Sequence, residues 1–208
     1  AAAERSLPGY DPRAETARVR QILLVAAILL VLGYSFGDRP FFTETFGPLL
    51  GRRPGLARYA DLLSYVYWSF AKLLGFGLLP LLHLILRGER VGDYGLGWQP
   101  AVVGSAVPRL PWLRTYLLLV AAVLPAVLAV SFTPTFQQSY PFYRQAGRSV
   151  FDFLAWELPY LGTFVAVEFF FRGYLLFGLR RAFGSHALFI SMVPYCMIHV
   201  LKPAPEAL

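Results

Sequence analysis

Long apolar runs, separated by short clusters of charge, set the pattern of this chain. Residues 1–20 are polar and charged and end in Arg18 and Arg20. The uncharged run QILLVAAILLVLGYSF follows at 21–36, and further runs occupy 62–86, 115–132, 153–178 and 186–201. At about 1.5 Å per residue, even the shortest covers most of a hydrocarbon core of about 30 Å. Backbone groups in lipid must find partners within their own segment, so each run predicts a helix. The two-residue alternation of a membrane barrel is absent. The fold class expected is all-α: a polytopic membrane helical bundle with about five transmembrane helices. The organisation reads as a polar N-terminal arm (1–20), N-terminal transmembrane helices and loops (21–152), and a last segment (153–208) whose spans carry charge. The loop stretch FFTETFGPLL at 41–50 reads as an interfacial segment.

Composition sharpens this picture. The 208 residues are 57% hydrophobic and 15% charged, against about 45–50% and about 25% for an ordinary soluble domain. So little charge cannot cover a soluble globule. The net charge of +7 raises nucleic-acid binding as an option, but the basic residues flank apolar runs instead of forming one patch. The expected partner is therefore the lipid bilayer, with no nucleic acid. Lys/Arg outside the spans are more numerous on the side of the N-terminal arm than on the other, which places the N-terminus in the cytoplasm. No cleavable signal peptide is visible in the first 20 residues, and with the only methionines at Met192 and Met197 the translational start is expected upstream of Ala1. Cys196 is the single cysteine, which rules out an internal disulfide and an all-cysteine metal site.

Charges inside spans point to chemistry, because each costs roughly 2.5–3.5 kcal/mol at a helix centre. Lys72, Glu157, Glu168 and Arg172 are such residues, followed by His83 and His199. Glu168 and Arg172, four apart, share a helix face and can pair. Phe169, Phe170 and Phe171 predict a dry wall around that carboxylate, a setting suited to acid–base work. The bland readings are an ion pair that anchors a helix end, a snorkelling Lys72, a packing His83, a small apolar Cys196 and a solvated Glu157. Glu on one buried helix and His199 on the next can activate a water; with a further histidine they can instead hold zinc.

The stretch VEFFFRGYLLFGL, followed about 20 residues later by PYCMIHVLKPAPE, resembles the CPBP family of intramembrane proteases, which includes CAAX-processing endopeptidases and Abi-type bacterial proteins. The family's first motif is a Glu-Glu pair followed by Arg; Glu168, Arg172 and the succeeding Gly173 match its second Glu, its Arg and its Gly. The second motif, an aromatic residue four before a His, is matched by Tyr195 and His199, with Tyr in place of the usual Phe. GLGW at 95–98 is a weaker echo. The resemblance covers about 153–206. It implies an endopeptidase acting on membrane-associated proteins or peptides in a bacterial plasma membrane, with Glu168, Arg172 and His199 as catalytic residues. It leaves open whether a divalent metal such as zinc takes part. Two departures stand out. Val167 occupies the place of the first Glu, and the third motif, a His followed four residues later by Asn or Asp, would fall beyond Leu208. The 208 residues thus hold the first part of the expected core and are expected to be inactive by themselves.

Three readings follow: an intramembrane protease, a catalytically inactive relative serving as a membrane scaffold or immunity protein, and a small transporter relaying protons through Glu157 and Glu168. In the first, Glu168 and His199 are expected to face each other across a polar cavity. Glu157, and more weakly Glu206, are the substitutes within this chain for the missing carboxylate.

Overall fold

A computed structural model of the chain describes residues 11–97 and 109–199. The described residues are all-α. Helix α1 runs Pro12–Phe36, α2 Arg39–Gly51, α3 Ala60–Leu86, α4 Arg109–Ser131, α5 Pro134–Ser139, α6 Val150–Phe183 and α7 His186–Met197. Four stretches are long and apolar enough to cross a membrane: Pro12–Phe36, Ala60–Leu86, Leu113–Ser131 and Val150–Phe183. Outward-facing large apolar side chains are abundant along them, among them Val31, Leu86, Val123, Leu158 and Val165, as lipid-facing helices require. These features point to an integral membrane protein.

The helices extend beyond the apolar runs for local reasons. The expected arm at 1–20 is helical from Pro12 onward. Asp11 caps α1 by accepting from the Arg13 N–H at 2.9 Å, and Pro12 sits at the first turn, where its missing N–H costs nothing. Ser149 likewise caps α6 four residues before the expected run begins, accepting from the Asp152 N–H at 3.0 Å. That helix continues to Phe183 and stops at Gly184, whose φ of 56° suits a residue without Cβ. Helix α7 ends at Met197, earlier than the expected 201; residues 200 and 201 lie outside the described residues. The FFTETFGPLL stretch forms most of α2, and Phe42 and Phe46 pack there against Tyr67 of α3.

Two helices contain π-helical segments, Leu73–Leu78 in α3 and Phe169–Leu175 in α6. The first lies just upstream of Pro80, whose ring would crowd the carbonyl four residues back, so a widened turn relieves the conflict. No proline accounts for the second. There the close neighbours are at Gly173, where an added Cβ would lie 2.6 Å from the Tyr94 carbonyl oxygen.

The chain divides into two compact units. Within the described residues, one comprises 11–97 and 145–195 and the other 109–144 and 196–199. In the first unit α3 and α6 run parallel along their whole length. The successive contacts Tyr65–Trp156, Leu73–Gly162, Phe76–Phe170 and His83–Tyr174 rise together in both helices. Helix α1 runs antiparallel to them: Gly37 at its end meets Ala71, and Ile22 near its start meets Gly178, where an added Cβ would lie 2.8 Å from Cδ1. The core is built of Ile22, Leu62, Leu84, Phe170, Phe171, Tyr174 and Leu179. At one end Asp152, buried, accepts two hydrogen bonds from Arg148 at 2.6 and 3.1 Å, and Arg39 pairs with Asp61 at 2.6 Å. In the second unit Thr133 caps α5, the Phe136 ring stacks on Tyr140, and Tyr140 meets Phe142 at a tilt.

Glycine at 173 and 178 is thus a packing requirement. Gly173→Ala should lower stability by about 1–3 kcal/mol, the usual cost of overpacking, whereas Gly75→Ala, with nothing within 4 Å of the new methyl, should not. Thermal unfolding of the purified protein in detergent checks this, and equal midpoints for the two variants would refute it.

Candidate functional site

Glu168 is the last residue of the α-helical part of α6, and Arg172 lies inside the π segment that follows. Their side chains form a direct ion pair, as the four-residue spacing predicts. The expected dry wall is absent on their side. Phe169, Phe170 and Phe171 are buried and turn inward, Phe170 and Phe171 against Phe76 of α3, while the Glu168 and Arg172 side chains are 49% and 60% exposed. The rings are consumed by helix packing, so the pair is left on the outer face of the helix.

Tyr195 of α7 completes the cluster. Its ring meets that of Phe171 edge to face, with centroids 5.3 Å apart, and the Arg172 guanidinium carbon lies 5.6 Å from the Tyr195 ring centre. That is within the reach of a cation–π contact. The first stretch singled out in the sequence and the aromatic residue of the second therefore touch. His199 lies in the turn after α7, where its N–H donates to the Cys196 carbonyl at 3.0 Å. Glu168 belongs to the first unit and His199 to the second.

Lys72 and His83, also within a span, have local partners. The Lys72 ammonium stands over the rings of Trp68 (4.7 Å) and Phe76 (5.7 Å), one turn away on either side. His83 shares a 2.8 Å hydrogen bond through Nδ1 with the Tyr174 hydroxyl, a packing role. Glu157 is half-buried in an unbroken α-helical stretch that runs through Pro159 to Glu168. Eleven residues along such a helix separate the two carboxylates by about 16 Å, too far to share a water. Cys196 is exposed. Glu206 and Trp98 lie outside the described residues.

One polar group escaped the sequence reading. Arg18 is buried, chelates Glu15 at 2.9 and 3.2 Å, and donates to the Tyr94 hydroxyl at 3.0 Å. Burial pushes the Tyr94 phenol above its ordinary range, against the lowering effect of the nearby guanidinium. Tyr94 is also the residue whose carbonyl presses on Gly173, so this pair ties the start of α1 to the segment that carries Arg172. The Asp-Pro-x-x-Glu start of α1 at 11–15 is the signal that could have shown the arm to be helical.

A metal requires several convergent ligands. Among the described residues no three His, Cys, Asp or Glu side chains gather in one place, so these residues supply no ligand set. Compared with family models, with curated proteins and with solved structures, the chain gives no match.

Pairing should matter more than either charge alone. Glu168→Gln and Arg172→Met each leave one charge on an apolar span, and each should destabilise by about 1–3 kcal/mol. The double variant should recover most of that loss. Unfolding in lipid nanodiscs measures the cycle, and additive losses would show the two charges to be independent.

Proposed function

We propose that this chain is part of an intramembrane endopeptidase of the CPBP type. In this reading it forms a polytopic helical bundle of about five transmembrane helices in a bacterial plasma membrane, with the N-terminus cytoplasmic. Its substrates are membrane-associated proteins or peptides. Arg172 keeps Glu168 ionised and aimed. Glu168 accepts a proton from the water that attacks the scissile carbonyl carbon and passes it to the departing amine, while His199 binds the water or stabilises the oxyanion. With Val167 in place of a second carboxylate, Glu168 carries the base role unaided.

The observation that carries this reading is the Glu168–Arg172 pair with Tyr195 packed on the guanidinium, since it joins residues from both motif-like stretches. The π segment beneath the pair adds support, because such segments concentrate at functional sites. Val167 favours a second reading, an inactive relative acting as a scaffold or immunity protein. The transporter reading draws no support from Glu157, which stands three turns away from Glu168 on the same helix.

The test is cleavage of a panel of membrane-anchored reporter peptides by full-length protein in proteoliposomes. Glu168→Gln should lower the rate per folded molecule by about 10²-fold or more, the usual share of a general base. Full activity in that variant would remove Glu168 from the mechanism. An unmutated protein that cleaves nothing across the panel would favour the inactive relative.

A further inference from the structure

We propose that Tyr195 is a positioning residue, holding the Arg172 guanidinium and thereby fixing how Arg172 engages Glu168. An arginine 60% exposed on a helix surface loses much rotamer freedom when it pairs, and exposed ion pairs gain little for that reason. A second anchor for the guanidinium changes this balance. The Tyr195 ring supplies it at 5.6 Å, and the ring is itself fixed by its edge-to-face contact with Phe171, which is buried. The chain of contacts therefore runs from the core through Phe171 and Tyr195 to Arg172, and ends at the carboxylate. Phe171 and Arg172 are adjacent in the π segment, so the rigid ring and the mobile guanidinium are set by the same backbone turn.

The face of the ring is what this role uses, and the hydroxyl is dispensable to it. Phenylalanine at 195 keeps the face; leucine or methionine keeps apolar bulk but has no π cloud. The inference rests on the protease reading only in treating Glu168 as the working carboxylate. Its main readout is independent of cleavage.

Full-length protein in nanodiscs is treated with a hydrophobic carbodiimide, which reacts with carboxyl groups in their protonated form, and labelling of Glu168 is quantified by mass spectrometry. Tyr195→Phe should label within about twofold of the unmutated protein. Tyr195→Leu should label about three- to tenfold faster, the range expected for loss of one cation–π contact. Arg172→Met should label at least as fast, and adding Tyr195→Leu to it should change nothing further. If Tyr195→Leu fails to fold, as judged by yield and thermal unfolding, Tyr195→Met takes its place in the series. Unchanged labelling in Tyr195→Leu or in Arg172→Met would overturn the proposal. So would an effect of Tyr195→Leu that persists in full without Arg172. Failure of the unmutated protein to cleave any substrate bears on the protease reading alone, because the labelling series stands without it.

Discussion

Phe76 and Phe170 meet with ring centroids 4.8 Å apart where the π segments of α3 and α6 come together, and the first unit is organised around that contact. Two parallel helices can stay in contact over many turns only if their side-chain ridges remain in step. A π segment admits an extra residue to a turn and so resets which side chains face the partner. Having one in each helix at the same level lets both be reset together: Tyr65 pairs with Trp156 before the segments, and His83, past the segment of α3, pairs with Tyr174 near the end of the segment of α6. Lipid offers apolar helices no hydrophobic reward for associating, so such matching and close approach at small residues must do the work. Gly162, Gly173 and Gly178 mark the places where neighbours come within 3.0 Å of where a Cβ would stand.

That packing decides where the charges go. Three consecutive phenylalanines in α6 are all buried, and the residues on either side of them, Glu168 and Arg172, are displaced to the outer face. An isolated charge there would be costly, and the opposite charge one turn away offsets the cost. The same logic recurs at the ends of the unit. Asp152 is buried because Arg148 reaches over it from four residues before, and Arg18 is buried because Glu15 and the Tyr94 hydroxyl satisfy it.

Sequence pattern alone revealed the four long apolar helices, because apolar run length is a direct consequence of bilayer thickness and needs no tertiary information, while α2 and α5 lie in stretches it read as loops. It missed the first turns of α1 and α6. There the cap residues Asp11 and Ser149 start the helix among polar residues that hydropathy counts as loop. The Glu168–Arg172 pair was legible as well, since a four-residue spacing fixes proximity on any helix. Its surroundings were not. Adjacent phenylalanines read as a wall around the carboxylate, but which way a ring points depends on Phe76, some 90 residues distant, and on a π turn that no local proline announces. The Arg18–Tyr94 bond crosses 76 positions and leaves no periodic trace. Tyr195 was noticed for its place in a motif; its hold on Arg172 follows only from how α7 lies against the π segment.

The two routes to the carboxylate explain why this region is built from such unlike parts. From one side, the Val91–Tyr94 turn, tied to α1 by the Arg18–Tyr94 hydrogen bond, meets Gly173 through the Tyr94 backbone carbonyl, a stiff contact on the π segment. From the other, Tyr195 touches a guanidinium through a ring face, a softer contact that tolerates rotation of the arginine. A backbone contact at Gly173 and a ring contact on the guanidinium thus act on the same helix turn. If Glu168 works as a base, its charge must appear and vanish during each cycle. A partner clamped at every atom would resist that change, whereas one held on a single ring can accommodate it. The exposed position of the pair, costly for stability alone, is the position from which such a carboxylate can reach a substrate.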